Sequence, residues 1–153
     1  MTSLSATTPV SSAPPDPRRP LRVLYADDVK QLRELITLVL TREGYCIETA
    51  VDGQAALERL THDPAAFDLL ITDHHMPRMN GLELVGLVRQ LPFTGRVIVF
   101  SSELSQNVNH EYRRHEVDLV LPKPIFPSAL RAALAHMFAP AGHNAPEAAE
   151  PGA

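Results

Sequence analysis

The sequence predicts an α/β fold: a five-stranded, parallel, doubly wound sheet with helices on both faces. Three observations carry this prediction. Between Leu21 and Phe138, short apolar runs alternate five times with segments of helical spacing; alternation of that kind builds parallel strand–helix units. The runs at 21–26, 68–72 and 96–100 are almost wholly apolar, as strands covered on both faces must be. Four runs end on residues suited to phosphate chemistry: Asp27-Asp28, Asp73, Ser101-Ser102 and Lys123. In one parallel sheet those ends share an edge, the edge at which open α/β sheets bind ligands.

The elements follow in order. Leu21–Ala26 is the first strand. Leu32, Leu35, Ile36, Val39 and Leu40 then form a helical stripe, which Gly44 ends as a C-terminal cap. Tyr45–Ala50 is a second strand, and Ala55, Ala56, Leu57 and Leu60 mark a short helix before His62-Asp63-Pro64. The strand ending at Thr72 leads into Asp73 and a loop. Leu82, Leu84, Val85, Val88 and Leu91 recur at helical spacing after it. Arg96–Phe100 runs into Ser101, followed by a polar segment with a thin stripe of Leu104, Val108 and Tyr112. Val117–Pro122 leads to Lys123, and Pro127 opens a last helix bearing Leu130, Leu134 and Phe138. The size suits the flavodoxin-like strand order 2-1-3-4-5, which sets the strands ending at Asp27 and Asp73 side by side. Spacing alone leaves that order open.

A length of 153 residues predicts one domain. The net charge of −4, without a basic stripe, argues against a nucleic-acid footprint. No stretch reaches the ~18–20 apolar residues of a membrane span. Met1–Pro20 has no apolar h-region, and its basic pair Arg18-Arg19 comes late, so no secretory leader is expected and the cytoplasm is the default location. The single Cys46 excludes an internal disulfide or a cysteine zinc cluster. Between Tyr45 and Ile47 it reads as a buried, inert thiol. Residues 1–20 and the Ala/Pro-rich 139–153 hold too little apolar surface to offset ordering entropy and are expected to be disordered. The folded unit is then 21–138, with no room expected for a DNA-binding or catalytic output domain.

Four segments are recognisable: Val23-Leu24-Tyr25-Ala26-Asp27-Asp28, the stretch Leu69–Gly81, Val97-Ile98-Val99-Phe100-Ser101-Ser102, and Lys123-Pro124. In order and approximate spacing they resemble the receiver domain of bacterial two-component response regulators. The likeness is greatest to the stand-alone kind typified by the chemotaxis response regulator. The Asp-x-x-Met-Pro-x-Met-x-Gly segment from Asp73 to Gly81 is the specific one.

The resemblance implies that Asp73 is the phosphoacceptor, a carboxylate able to attack a phosphoryl group and form an aspartyl phosphate. Transfer of this kind is mostly positioning and charge neutralisation. Asp27, Asp28 and Asp73 placed together repel one another unless a cation compensates. The resemblance implies Mg²⁺, held by Asp28, Asp73 and the backbone carbonyl of His75, with Asp27 acting largely through water. The alternative for Asp27-Asp28 is capping of the 29–43 helix. Lys123 is implied to balance the phosphoryl charge and, before transfer, to pair with an acid such as Asp73. Pro124 keeps Lys123 out of the helical region, and the Lys123–Pro124 bond is open to either isomer. Ser101 is implied to sense the phosphoryl group and draw its loop inward, with Ser102 the alternative. His75 and Glu103 are implied to tune the lifetime of the acyl phosphate. The implied partners are a histidine kinase or phosphotransfer protein, and a downstream protein at the fourth helix, fifth strand and fifth helix. A monomer or weak dimer is expected, without nucleic acid or membrane.

Two positions depart from the family. Val120 stands where an aromatic switch residue is usual, and Glu116 where glycine is common. The polar segment Ser105–Glu111 forms a helix poorly, so the fourth helix is expected to be the least stable element and region 101–116 to reorganise on phosphorylation. His74-His75 beside Asp73 suggests zinc only weakly, since adjacent loop residues rarely aim both rings at one ion; the alternative sets His74 partly exposed and His75 at the pocket's border. The leading reading is a phosphorelay protein that signals by phosphorylation-dependent binding, and no metabolic enzyme. A phosphorylation-independent adaptor with the same fold is the alternative. A phosphatase of the aspartyl-nucleophile type usually has an acid two residues after the nucleophile, where His75 stands here.

Overall fold

The computed structural model describes residues 19–103 and 105–138. Of the two stretches read as disordered, only Arg19 and Pro20 lie within the described residues; Leu104 of the fourth-helix stripe lies outside them. The elements run β1 Arg22–Ala26, α1 Lys30–Arg42, β2 Cys46–Ala50, α2 Gly53–His62, β3 Leu69–Asp73, α3 Gly81–Val88, β4 Arg96–Ser101, α4 Gln106–Arg114, β5 Leu119–Pro122 and α5 Pro127–Met137. A short 3-10 turn, Pro64–Ala66, precedes β3. All strand pairs are parallel, in the order β2-β1-β3-β4-β5.

Alternation along each strand divides the core between the two faces of the sheet. Leu24, Ala26, Leu70, Val97 and Val99 face α2, α3 and α4, where they meet Ala56, Leu60, Leu84, Val85, Val88 and Tyr112. Val23, Tyr25, Leu69, Ile71, Ile98 and Phe100 face α1 and α5, where they meet Ile36, Leu40, Leu130 and Leu134. Each of these larger side chains, fully buried, contributes roughly 1.5–3 kcal/mol. β3, in the middle, is buried at all five positions.

Local chemistry fixes the helix ends. Gly44, at φ 91°, closes α1: its N–H reaches the Thr41 carbonyl and that of Tyr45 the Leu40 carbonyl, the paired bonds of a left-handed helix stop. Asp52 caps α2 through the Ala55 N–H at 2.8 Å. Asn80 and Glu83 form a reciprocal capping box at α3. Ser105 caps α4 through the Val108 N–H. Pro127 opens α5. The sequence reading fails at Cys46, which is exposed. It begins β2, an outer strand with a neighbour on one side only, so apolar flanks do not enclose it.

Asp68 clamps the start of the sheet. Its carboxylate accepts from the Arg22 N–H at 2.9 Å and from the guanidinium groups of Arg19 and Arg22. Burial alone would raise this carboxyl, but the bonds from Arg19 and Arg22 win and hold it below its ordinary value of 3.8. A depressed folded-state value contributes stability above the unfolded value, and that stability disappears as pH falls. Asp68→Asn is therefore expected to cost about 1–3 kcal/mol at neutral pH in denaturant unfolding. The gap to the parent protein should shrink as pH falls below 3.8.

Candidate functional site

Strand register assembles the site. Ala26 lies opposite Thr72, so Asp27 and Asp73 follow side by side. Asp73 lies opposite Phe100, and Ser101 opposite Pro122, which carries Lys123 to the same edge. Carboxylate oxygens of Asp27, Asp28 and Asp73 lie within 4.8 Å of one another. Asp27 and Asp73 are 0% and 2% exposed, whereas Asp28 faces solvent.

Asp27 is held from both sides. Its Oδ2 accepts the Tyr25 hydroxyl at 2.6 Å and its Oδ1 the Val29 N–H at 2.9 Å. Arg33 of α1 donates to its backbone carbonyl at 2.8 Å. α1 itself begins without a side-chain cap, so capping does not account for the acidic pair. Asp73 receives the Lys123 ammonium at 2.6 Å. Burial raises the Asp73 carboxyl above its ordinary value; Lys123 pulls it down, and the charges of Asp27 and Asp28 push it up. The Lys123–Pro124 peptide bond is cis.

Three carboxylates against one ammonium leave uncompensated negative charge. The donors are all oxygen, which suits a hard divalent cation, and Asp28 leaves one side open to water. Among the described residues, the group close enough to share an ion is these three aspartates, without either histidine. The zinc reading fails because His74 is turned away. It was expected to be partly exposed, but it is 7% exposed, and its Nδ1 is hydrogen-bonded to the Tyr112 hydroxyl of α4. Burial lowers the imidazole's affinity for a proton, with a further push from His75. The two histidine rings meet edge-to-face, with centroids 4.6 Å apart. His75 is exposed.

The Ser101 hydroxyl is engaged within its own loop: it donates to the Glu103 carbonyl at 3.2 Å and accepts the Glu103 N–H at 2.9 Å. Ser102 is exposed and Glu103 half-buried. Val120 is half-buried against the α2–α3–α4 core. Glu116 adopts φ 61°, a left-handed turn that Arg89 holds by donating to the carbonyls of His115 and Glu116.

Sequence reasoning missed Tyr25 and Tyr112. Tyr25 left a signal, because residues two apart on a strand share a face and a polar-tipped ring two positions before Asp27 is placed to bond it. Tyr112 read only as part of an apolar stripe, since its partner lies 38 residues away. Tyr25→Phe leaves the buried Asp27 oxygen unpaired and is expected to destabilise the fold by roughly 1–3 kcal/mol, measured by denaturant unfolding.

What this arrangement can do chemically is set by its members: a desolvated carboxylate, an ammonium against it, and an acidic cradle for a cation. Comparison with known proteins agrees. The family model for the response regulator receiver domain matches residues 23–135. The chain is 35% identical over 123 residues to the response regulator MprA of Mycolicibacterium vanbaalenii, covering 78% of this chain and 50% of that protein. It is 30% identical over 133 residues to the sensor histidine kinase RcsC of Salmonella typhi, covering 87% of this chain and 14% of that protein. The chain thus spans half or less of the length of these relatives. Among solved structures, the chemotaxis protein CheY4 of Vibrio cholerae superposes with a TM-score of 0.72 at 31% identity, covering 77% of this chain and 98% of that one. No described helix is long and apolar enough to cross a membrane. By strand order, by the acidic edge and by this match, the chain belongs to the response regulator receiver domain family.

Proposed function

We propose that the chain is a phosphoacceptor of two-component signalling. It takes a phosphoryl group on Asp73 from a histidine kinase or phosphotransfer protein, and its altered surface then binds a partner. The observation that carries this reading is the buried Asp73 carboxylate, set against Lys123 at 2.6 Å and within 4.8 Å of Asp27 and Asp28. An Asp73 oxygen attacks phosphorus, the bond from phosphorus to the donor's nitrogen breaks, and the electron pair leaves with that nitrogen, which takes a proton. The product is an aspartyl phosphate.

Asp28, Asp73 and the backbone carbonyl of His75 are the proposed ligands of Mg²⁺. Asp27, whose oxygens already serve Tyr25 and Val29, acts through water. The ion, when bound, neutralises charge on the transferring oxygens. Lys123 exchanges its contact with Asp73 for one with the phosphoryl group. Ser101 gives up the Glu103 carbonyl to donate to the same group, which draws the 101–103 loop toward the site. His75 and Glu103 border the pocket and set how readily water reaches the acyl phosphate. The domain accepts phosphate and slowly releases it but turns over no metabolite. The proposed location is the cytoplasm. The proposed partner face is α4, β5 and α5.

Val120 favours a second reading, an adaptor independent of phosphorylation, because a half-buried valine cannot swing inward as an aromatic ring does. Acetyl phosphate with Mg²⁺ separates the two. The phosphoacceptor reading expects one acid-stable, base-labile phosphoryl group on the parent protein and none on Asp73→Asn. No label, or equal labelling of the variant, favours the adaptor.

Mg²⁺ alone is also expected to raise the melting temperature. The stabilisation should reach about 2.7 kcal/mol at a hundredfold excess over Kd, and Asp28→Asn should lose most of it. Because burial raises the Asp73 carboxyl, protons compete with the ion from a higher pH than at an ordinary carboxylate. Mg²⁺ affinity, followed by calorimetry, should therefore weaken as pH falls toward acid.

A further inference from the structure

The buried pair of His74 and Tyr112 has no part in the chemistry just proposed, yet it joins the phosphoacceptor to α4. His74 follows Asp73 directly. Its N–H donates to the Phe100 carbonyl at 2.9 Å, one residue before Ser101, and its carbonyl accepts the Gly81 N–H at 2.8 Å. The backbone of His74 is thus tied to the ends of both β4 and α3. Its Nδ1 meets the hydroxyl of Tyr112, a fully buried residue of α4, and the two rings pack edge-to-face with centroids 5.5 Å apart.

There is no slack around this junction. A Cβ at Gly81 would lie 2.6 Å from the Asp73 carbonyl oxygen, 2.9 Å from the His74 Cα and 2.9 Å from the Tyr112 hydroxyl. Close-packed interiors pass displacement on rather than absorb it. α4 itself is poorly settled. Tyr112 is its one buried residue, and its other described positions are half-buried or exposed. One turn earlier, Asn109 Oδ1 is buried with no hydrogen-bond partner among the described residues, an arrangement that disfavours the present docking.

We propose that the His74–Tyr112 hydrogen bond is the link through which the state of Asp73 reaches α4, with Tyr112 a positioning residue that acts through His74. A phosphoryl group on Asp73 that recruits Ser101 displaces the ends of β3 and β4 together. His74 is bonded to both, and its ring carries the displacement to Tyr112. The helix held by that ring then shifts or loosens. This inference rests on the phosphoacceptor reading above.

Beryllofluoride with Mg²⁺, a mimic of a bound phosphoryl group, tests it on the full chain by hydrogen exchange of residues 106–114. In the parent protein the mimic should change α4 exchange. In Tyr112→Phe, which keeps the ring and removes the hydroxyl, that change should fall by roughly fivefold, the factor one buried hydrogen bond supplies. An equal change in both proteins overturns the link alone. A parent protein that neither binds the mimic nor takes a label on Asp73 overturns the phosphoacceptor reading and the link with it. Should Tyr112→Phe fail to fold or to take the mimic, two substitutions of His74 decide instead. His74→Asn keeps a polar atom near the Nδ1 position and should retain the α4 response, whereas His74→Leu should lose it. Equal behaviour of the two overturns the link.

Discussion

Removing the Asp73 carboxylate from water is the constraint on which the rest of the structure depends. A lone buried carboxylate is costly enough to neutralise itself. Here it lies beside two more, and Lys123 offsets only part of the charge. Everything near the site serves to keep this arrangement standing. Register places the strand ends, the Tyr25 hydroxyl and the Val29 N–H occupy Asp27, and Asp28 remains at the solvent boundary where an ion can enter. The site is left with more negative charge than Lys123 balances, open to solvent at Asp28, which is the state the proposed cation and phosphoryl group would complete.

Much of this was legible in the sequence because it depends on period and order. Apolar runs such as Val97–Phe100 cannot satisfy water on either face, so they declare a doubly covered sheet, and the residues that close each run mark one edge of it. Gly44 and Pro127 announced helix ends through backbone chemistry alone. What stayed hidden depends on partners distant in the chain or on position within the sheet. The apolar neighbours of Cys46 say nothing of its place on an outer strand. His74 reads as a loop histidine until α4 closes over it. A serine after a strand does not reveal that its hydroxyl already serves the Glu103 backbone.

The two halves of the site therefore differ in kind. The acidic and ammonium positions are local consequences of the ends of β1, β3 and β5. The proposed route outward depends instead on a contact between elements distant in the chain. Val120 supplies no ring at β5, whereas a ring does lie buried on α4, joined to the residue after Asp73. Under the proposed link, the ring that couples the site to a surface helix lies on α4, within the β4–β5 connection, and not on β5.

The left-handed turn at Glu116 gives that connection a mechanical character. Arg89 grips the carbonyls of His115 and Glu116, so the C-terminal end of α4 is pinned to α3, whereas among the described residues no side-chain hydrogen bond ties its first turn to another element. A helix pinned at one end is a lever. Tyr112 lies close to the fulcrum, and the start of the helix at Gln106 is about three times as far from it along the axis. Under the proposed link, a displacement at Tyr112 too small to disturb the core would be magnified at the exposed tip.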